Sequence, residues 1–343
     1  MMGETAIFDQ LAASMFSLTN GNGHPNTSVF NERFRNLDAL LWNVKVLGAE
    51  LAHKYYGDVR VTRMPQRTDA FQLGWRAVRF EDFLQNWFIG TCNRLHLAPL
   101  LHRKLWEEMF VVNSLAQSGV MVPGKRGIVF GVGQERLPSY FASLGVTILA
   151  TDLDPAASSA QGWIETAQHG SLEKLFHSDL VARDQFNRLV TFEFADMNNI
   201  PSKWDGQFDF CWSVCAFEHL GSIEQGLQFV EQTGKLLRPG GVSVHTTEFN
   251  YASDDETIDN WGTVLFRKKD FQSLASRLVE AGYAIPSTVS FDVGDTPVDY
   301  FIDVPPYPGH KNYLHANLSA LHLKLIVDGF PSTCFGLDRK SVV

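Results

Sequence analysis

Short apolar runs and helix-length segments alternate along the chain from residue 126 onward. The apolar runs predict strands at Gly127–Phe130, Val146–Thr151, Val190–Phe194, Phe208–Val214 and Val242–Thr247. The segments between and after them predict helices at Glu135–Leu144, Pro155–Gln168, Ile223–Leu237 and Lys268–Ala281. Runs that are nearly all apolar, rather than alternating, indicate strands buried on both faces, and their alternation with helices favours a parallel sheet with right-handed crossovers. Two later runs, Ile285–Phe291 and Phe330–Leu337, are expected to form a closing antiparallel pair.

Residues before 120 follow a helical pattern instead. Apolar side chains recur at helical spacing at Phe34, Leu37, Leu41, Val44, Leu47 and Leu51. His102–Gln117 predicts a second amphipathic helix, and Asp58–Thr62 predicts a short strand. We therefore predict a mainly helical N-terminal region over residues 1–120, followed by a catalytic domain over residues 121–343.

Composition and charge narrow the class of protein. The chain has 343 residues and a net charge of −9, which counts against a nucleic-acid partner, because contacts to phosphates need a basic surface. Four cysteines without a CxxC pair are typical of a reducing compartment and predict neither a disulfide framework nor a zinc site. The first residues lack the pattern of a signal peptide, and no apolar run reaches the roughly 18 residues that span a membrane. We expect a cytoplasmic protein.

The first candidate site lies between the first strand and the helix that follows it. It consists of Phe130, Gly131, Val132, Gly133 and Glu135. Glycine allows a tight turn here and lets a ligand approach the backbone, while the start of the helix offers free N–H groups. Taken alone, the pattern equally fits an ordinary strand-to-helix turn.

Acidic residues follow the next two strands. The second strand ends at Asp152, Leu153 and Asp154, where an acid can accept hydrogen bonds from both hydroxyls of a ribose. Asp152 is the preferred residue, and Asp154 is the alternative, although an Asp before a proline also fits a helix cap. The third strand leads into Asp196 and Met197. There the acid can bind the amine of an adenine ring, and the methionine can cover the face of that ring.

In their order and spacing, these segments resemble the class I S-adenosylmethionine-dependent methyltransferases. The likeness covers residues 126–249: GVG resembles the family's glycine motif, TDLDP its ribose acid, FADMNNIP its adenine-side motif and LRPGG the turn before its fifth strand. The segments HRKLWEEMF, FEHLGSIEQGL, DVPPY and HLKL further resemble bacterial members, largely uncharacterised, that are found with surface-polysaccharide and glycosyltransferase functions.

The resemblance implies a Rossmann-like, doubly wound α/β fold. Its mostly parallel, seven-stranded sheet would have an antiparallel last strand, and the helical N-terminal region would be an extension. The implied cofactor is S-adenosyl-L-methionine, held by the residues named above and by Ser213 at the end of the fourth strand. The implied reaction is methyl transfer to a hydroxyl, less readily an amine, of a small acceptor such as a sugar or glycan intermediate.

The sequence departs from the family pattern at two positions, and other classes of protein are therefore considered as alternatives. Glu135 stands where a third glycine is typical, and Val129 stands where an acid often binds the amino group of the cofactor. Glu135 either takes over that contact or simply lies in the first turn of the helix. A cofactor-binding subunit without activity is therefore one alternative. An NAD-dependent oxidoreductase is another, although it explains only the glycine turn and the acid after the second strand.

Candidate catalytic residues come from the carboxyl ends of the fourth and fifth strands, where ligands of open α/β sheets lie. They are His219, Glu218, Glu248 and His245. A hydroxyl acceptor must lose a proton, and His219 is the preferred base because histidine titrates near neutral pH; it equally fits a cap of the following helix. Glu248 equally fits a solvated strand end, and His245 lies within a strand. No metal is expected, because Cys215 replaces the first acid of the metal pattern in related enzymes.

Residues 292–329 are predicted to be a substrate-side insertion of the catalytic domain, because long connections at this edge of a sheet often carry function. Tyr300, Tyr307, His310 and Tyr313 within it can stack on a sugar or aromatic ring. The N-terminal helices are expected either to cover the pocket or to form the surface of a homodimer. The expected partners are thus a small acceptor and a second copy, with no nucleic acid and no membrane span.

Overall fold

The computed structural model describes residues 22–24, 27–62, 73–156, 169–305 and 321–341. The chain divides into two compact units, residues 1–54 and 55–343. Most of the predicted helix Pro155–Gln168 lies outside the described residues, as do Tyr307, His310 and Tyr313. No helix in the described ranges is long and apolar enough to cross a membrane.

Strands and helices alternate along most of the described chain. The strands are β1 (Trp75–Ala77), β2 (Leu101–His102), β3 (Arg126–Phe130), β4 (Thr147–Asp152), β5 (Val190–Phe194), β6 (Phe208–Val214), β7 (Leu237–Asn250), β8 (Tyr283–Ala284), β9 (Val289–Ser290), β10 (Ile302–Asp303), β11 (Leu321–His322), β12 (Lys324–Val327) and β13 (Phe330–Ser341). The helices are α1 (Thr27–Thr62), α2 (Asn86–Arg94), α3 (Arg103–Gln117), α4 (Leu137–Ser143), α5 (Arg183–Leu189), α6 (Ile223–Thr233), α7 (Lys268–Glu280) and α8 (Pro297–Tyr300). Short 3₁₀ helices lie at Phe80–Leu84, Leu172–Leu175, Ser202–Trp204, Phe217–His219 and Gly234–Leu236.

Among the described residues, eleven strands join one central sheet. Its long path runs in the order β10-β12-β13-β7-β6-β3-β4-β5, and the five strands from β7 to β5 are parallel to one another. β13 runs antiparallel to β7, from Ser332 opposite Asn250 to Lys340 opposite Val242. The predicted α/β class, with a mostly parallel sheet and an antiparallel last long strand, is confirmed. The sheet exceeds the seven strands expected because short segments such as β1, β9 and β10 add to it beyond β7.

The position of β3 determines where a ligand can bind. β3 pairs with β4 on one side and with β6 on the other, so the order of the strands reverses there. In open α/β sheets, a crevice forms outside the carboxyl ends of the strands at such a switch point. The glycine turn that follows β3 lies at this crevice.

The closing pair near the C-terminus differs from the prediction. Val289–Ser290 pairs in parallel with β1, and β1 in turn pairs antiparallel with β13. Trp75 lies opposite Val289, and Arg76 lies opposite Gly336. The expected pairing of Ile285–Phe291 with Phe330–Leu337 is wrong because a three-residue strand from early in the chain lies between the two segments.

Two predicted element boundaries are also wrong. α1 continues through Thr62, so the strand expected at Asp58–Thr62 is helix. α6 ends at Thr233, and β7 begins at Leu237, which was expected to be the last helical residue. Leu236 and Leu237 are both buried. An extended backbone from Leu237 onward allows consecutive side chains to pack on different sides of the chain.

α3 brings the first part of the site to the sheet. It packs against β6, β7 and β13 and buries Trp106 and Phe110. A Cβ on Gly336 of β13 would lie 2.5 Å from the Phe110 ring, so the close approach of helix and strand requires glycine. As a result, the hydroxyl of Thr246 on β7 donates a hydrogen bond to Glu107 at 2.6 Å. The first turns of α3 therefore face the carboxyl ends of the central strands.

Aromatic packing holds β13 in place on the other face of the sheet. The ring centroids of Phe271 and Phe335 are 4.2 Å apart, and those of Phe291 and Phe335 are 5.2 Å apart. Phe249 of β7 contacts all three of these rings. Each fully buried phenylalanine contributes about 1.5–3 kcal/mol, so this cluster supports the antiparallel edge on which Cys334 and Ser332 reach the site.

Candidate active site

The turn after β3 has the backbone that its glycines predict. Gly131 has a φ of +60° and Gly133 a φ of +52°, both in the left-handed region that favours glycine. A Cβ on Gly131 would lie 2.8 Å from the Cβ of Ala216 and 3.7 Å from the sulfur of Met197. The turn therefore forms the floor of a cleft, between the segments that follow β5 and β6.

Asp152 at the end of β4 connects three backbone segments. One of its carboxylate oxygens accepts hydrogen bonds from the N–H groups of Gly133, at 3.2 Å, and Gly170, at 2.8 Å. The other accepts from the N–H of Leu153 at 2.8 Å. A carboxylate has about four lone-pair sites, so these bonds leave room for a further donor such as a ribose hydroxyl.

A cavity of about 980 Å³ opens at this edge of the sheet. The predicted cofactor residues that line it are Gly131, Val132, Gly133, Glu135, Asp152, Leu153, Asp196 and Met197. The other three predicted residues lie outside its wall. Phe130 is buried in the core, Ser213 is buried against His245 at 2.8 Å, and Asp154 accepts a hydrogen bond from the N–H of Ala156 at 2.9 Å.

The structure adds lining residues that sequence reasoning missed. They are Lys104, Glu108, His169, Asn198, Leu220, Asn260 and Trp261. Lys104 and Glu108 are four residues apart on α3, so they share one face of the helix; that spacing was the only available signal. Gly170 was also missed. A Cβ there would lie 2.6 Å from the Gly133 carbonyl oxygen and 2.7 Å from the Asp152 carboxylate.

Carboxyl groups dominate the end of the cavity formed by α3 and the glycine turn. Burial raises the pKa of Glu108 to about 7. Burial, together with the nearby Glu108, raises the pKa of Glu135 well above its usual range, although the indole N–H of Trp212 donates a hydrogen bond to Glu135 at 3.0 Å. A positively charged group bound here would favour the ionised form of both acids.

His219 lies on the cavity wall and is oriented by a neighbouring loop. Its Nδ1 lies 3.0 Å from the carbonyl oxygen of Gly262 and 3.1 Å from the hydroxyl of Thr263. A carbonyl only accepts hydrogen bonds, so this contact assigns the proton of the neutral ring to Nδ1. Nε2 is then the proton-accepting nitrogen, and it lies 3.8 Å from Glu218 Oε1.

Glu218 is buried directly behind the cavity wall. Thr247 donates a hydrogen bond to its Oε2 at 3.0 Å, and its Oε1 has no hydrogen-bond partner among the described residues. Burial raises the pKa of this carboxyl, and the adjacent His219 opposes the rise. Glu218 is thus placed to influence His219 rather than to contact a ligand directly.

Glu248 and His245 belong to the packed interior and do not line the cavity. Arg103 and Ser332 donate hydrogen bonds to Glu248. Burial alone would raise the pKa of Glu248, but Arg103 and Lys104 outweigh it and lower the pKa to about 2. His245 lies 2.8 Å from the Ser213 hydroxyl, and burial lowers its pKa well below the usual range. Of the two interpretations of Glu248, the solvated strand end is wrong, because β13 and α3 cover the residue.

Two groups of potential metal ligands lie next to the cavity. Glu107, Cys215 and Cys334 approach within 4.8 Å of one another, as do Cys215, Glu218 and Glu248. Arg103 and Lys104 already bring positive charge to these carboxylates. The cationic side chains of Arg103 and Lys104 therefore supply positive charge at the place where a metal ion would lie.

The predicted insertion is described in part, at residues 292–305 and 321–329. Tyr300 is exposed on α8 and does not line the cavity. The described ends of the insertion meet at Asp303 and His322, where a carboxylate oxygen lies 2.7 Å from the ring nitrogen Nδ1. The aromatic ring at the mouth of the cavity is instead Trp261, from the loop between β7 and α7.

These features define a class of protein. A glycine turn, an acid at the end of the next strand and an Asp–Met pair after the third meet at the switch point of a parallel α/β sheet, which is the arrangement of a nucleoside-binding site. Residues 128–245 match the family model described as a methyltransferase domain. Over these residues the chain is similar to a methyltransferase domain, and the cofactor that this match indicates is S-adenosylmethionine.

No curated protein matches the chain. Among solved structures, it is similar to a methyltransferase from Galdieria sulphuraria named for sarcosine and dimethylglycine, with 17% identity, a TM-score of 0.40 and coverage of 69% of this chain and 85% of that one. It is also similar to an S-adenosylmethionine-dependent methyltransferase from Aquifex aeolicus, with 15% identity, a TM-score of 0.35 and coverage of 68% of this chain and 89% of that one. A third similar structure is an S-adenosylmethionine-dependent methyltransferase from Mesorhizobium loti, with 14% identity, a TM-score of 0.35 and coverage of 67% of this chain and 97% of that one.

Proposed function

We propose that the protein transfers a methyl group from S-adenosylmethionine to a hydroxyl of a small acceptor, and that His219 accepts the hydroxyl proton. The observation that carries the proposal is the placement of His219. Its ring lies on the wall of the same cavity as Gly131 and Asp152, with Nδ1 directed at the Gly262 carbonyl. With the ring proton on Nδ1, Nε2 is the nitrogen that would accept the proton.

The residues that line the cavity support a division of the cofactor site into three parts. Asp196 and Met197 are proposed to hold the adenine, Asp152 the ribose, and Glu108, Glu135 and Lys104 the amino-acid end. A side chain at Gly131 would crowd the wall against which the ligand is proposed to lie, because its Cβ would lie only 2.8 Å from the Cβ of Ala216. When bound, S-adenosylmethionine supplies a methyl group on a positively charged sulfur, which is a good leaving group.

The protein's part in the reaction is then alignment and removal of one proton. Direct displacement needs the acceptor oxygen in line with the methyl group, and a cavity that binds both ligands provides this alignment. His219 Nε2 takes the proton as the new bond to carbon forms. Glu218 is a positioning residue in this proposal, because its buried carboxyl lies beside His219 and stabilises the charge that the ring acquires.

The proposed acceptor is a sugar or a glycan intermediate. The cavity volume of about 980 Å³ is at the upper end of the range for small-molecule sites, which leaves room for an acceptor beside the cofactor. Trp261 is 68% exposed at its mouth, next to the amide of Asn260. An exposed indole offers a flat apolar face on which a sugar ring can stack. An amine acceptor would also use His219 and is the less favoured version.

We place this reaction in the cytoplasm. All four cysteines, Cys92, Cys211, Cys215 and Cys334, are free thiols, which suits a reducing compartment. The described cavity is acidic rather than basic, so the proposal includes no nucleic-acid partner.

Calorimetric titration with S-adenosylhomocysteine, with NAD⁺ in parallel, is the first test. Micromolar binding of S-adenosylhomocysteine alone is the expected result, and preferential binding of NAD⁺ would overturn the proposal. The second test is transfer of radiolabelled methyl groups to a panel of simple glycosides and their amino-sugar counterparts. Labelled glycoside supports a hydroxyl acceptor, whereas label only in amino sugars overturns that choice. Cofactor binding without transfer to any sugar or other small acceptor would favour an inactive cofactor-binding subunit.

A further inference from the structure

One face of α1 carries a row of large apolar side chains that the described chain leaves exposed. We call this row the leucine stripe. It consists of Leu37, Leu40, Leu41, Val44, Leu47 and Leu51, each between 46% and 70% exposed. Isolated exposed leucines are common on protein surfaces, but a continuous row along one helix indicates a surface that is covered by something else.

The spacing of the stripe is that of a coiled coil. Leu37, Val44 and Leu51 are seven residues apart, and Leu40 and Leu47 fall between them at the second apolar position of each heptad. Alternating steps of three and four residues keep a seam of side chains facing a partner helix. Leucine at the second position, with leucine or valine at the first, suits a two-stranded coil.

A different face of α1 is already buried within the chain. Ala49 and Ala52 are buried, and so is Lys45, whose ammonium group lies 5.7 Å from the centre of the Trp42 ring. The helix therefore has two apolar faces, and the stripe is the one without cover among the described residues. A helix that served only to pack against its own chain would carry polar side chains on its outer face.

We propose that the leucine stripe pairs with the same stripe of a second copy of this chain, which makes the protein a homodimer through a two-stranded coiled coil. The exposed parts of the six side chains amount to roughly 600 Å² in each copy, so that pairing would bury about 1,200 Å² in total, the lower limit for a stable specific interface.

Charge also suits self-association. The positions that flank the stripe in each heptad include Asn43, Gly48 and Glu50, so that two copies meet with almost no like charges opposed. If the partner were a different protein, the flanking positions of this chain could carry charges that would repel each other in a homodimer. The other occupant to be tested is the part of this chain that precedes α1.

Light scattering after size-exclusion chromatography tests the dimer. The wild-type protein is expected at twice the 38.5 kDa of one chain. The double variant Leu40→Glu and Leu47→Glu should dissociate about a hundredfold more readily and elute as a monomer. Ala39→Glu is the matched control, because Ala39 is exposed on the same helix but outside the stripe, and it should remain dimeric. A monomeric wild type, or a double variant that stays dimeric, would overturn the proposal.

Cysteine cross-linking distinguishes the two occupants and remains informative if the glutamate variant misfolds. Val44 lies at the centre of the stripe, so Val44→Cys should form a disulfide between copies in either helix orientation, after oxidation with copper phenanthroline. Leu37→Cys should do so only in a parallel coil. The native sequence has no cysteine before Cys92, so a covalent dimer cannot come from pairing with the start of the same chain. Exclusively monomeric Val44→Cys would argue for cover by the chain's own N-terminal residues and against the dimer. Equal linkage in Ala39→Cys would show that the cross-linking is not specific to the leucine stripe and would also overturn the proposal.

Discussion

The substitution Gly131→Ala tests the cofactor site through a single methyl group. Gly131 has a φ of +60°, where any residue other than glycine costs about 1–2 kcal/mol. The added Cβ would also lie 2.8 Å from the Cβ of Ala216. Ala216 has no flexible side chain that could move away, so the backbone on one side of the cavity has to shift. The substitution therefore adds a steric effect at the cofactor site to a general backbone cost.

Gly124→Ala separates these two effects. Gly124 has a φ of +84°, and no described atom lies within 4 Å of the position of its Cβ. It precedes β3 and lies at the end of that strand opposite to the cavity. The control thus carries the backbone cost of Gly131→Ala without the contact to Ala216.

The measurements are urea denaturation and calorimetric titration with S-adenosylhomocysteine. Both variants should lose about 1–2 kcal/mol of unfolding free energy, and Gly131→Ala somewhat more. Only Gly131→Ala should bind S-adenosylhomocysteine at least about tenfold more weakly, a loss of about 1.4 kcal/mol. If the two variants bind the ligand equally well and as tightly as the wild type, the reasoning that places the cofactor against Gly131 is refuted.

Four further predictions concern the site and its surroundings. Burial raises the pKa of Glu108 to about 7, so the carboxylate that attracts the cofactor's ammonium group forms as the pH rises through that value; affinity for S-adenosylhomocysteine, measured by calorimetry, should increase between about pH 6 and pH 8 in the wild type but not in Glu108→Gln. Because this raised pKa lies above the ordinary value of about 4.5, Glu108 stays protonated to a higher pH in the ligand-free folded protein than in the unfolded chain. The contribution of Glu108 to the free energy of unfolding should therefore decrease as the pH rises from about 4.5 to about 7, as measured by urea denaturation. His219→Asn retains a donor for the Gly262 carbonyl but no base, so turnover should fall by about a hundredfold with unchanged S-adenosylhomocysteine affinity; undiminished turnover would exclude His219 as the base. Arg103→Met removes the nearest positive charge from the buried Glu248 and should cost about 3–5 kcal/mol in urea denaturation, part of which the added substitution Glu248→Gln should restore; a loss that the second substitution deepens would contradict a direct ion pair.

The buried strands and the glycine turn could be predicted from the sequence because their signals are local. Phe208–Val214 is a buried strand over the predicted residues, since a mostly apolar run bounded by polar turns has few other structures. Val190–Phe194 is also a strand as predicted, but it is largely exposed rather than buried on both faces. Gly131 and Gly133 have the left-handed backbone that their position after a strand suggested. In such places, the chemistry of neighbouring residues determines the conformation.

The missed features depend on contacts between distant residues. β1 is only three residues long and forms its hydrogen bonds with segments more than 200 positions away, so no pattern within the strand could indicate it. Lys104 and Glu108 reach the cavity because α3 packs on the sheet, and Trp261 reaches it because a loop folds over the carboxyl ends of the strands. The sequence left open whether Glu248 is solvated for the same reason, since its partners Arg103 and Ser332 lie on other elements.

The hydrogen bond between His219 and Gly262 makes the choice of acceptor and the rate of turnover depend on the same loop. The loop that supplies the Gly262 carbonyl also carries Trp261, the ring proposed to contact the acceptor. A substitution that reshapes this loop for a different acceptor would therefore rotate the imidazole as well. A single substitution in the loop would therefore change the range of acceptors and the turnover together. Evolution toward a new acceptor would then require paired substitutions, one in the loop and one around His219.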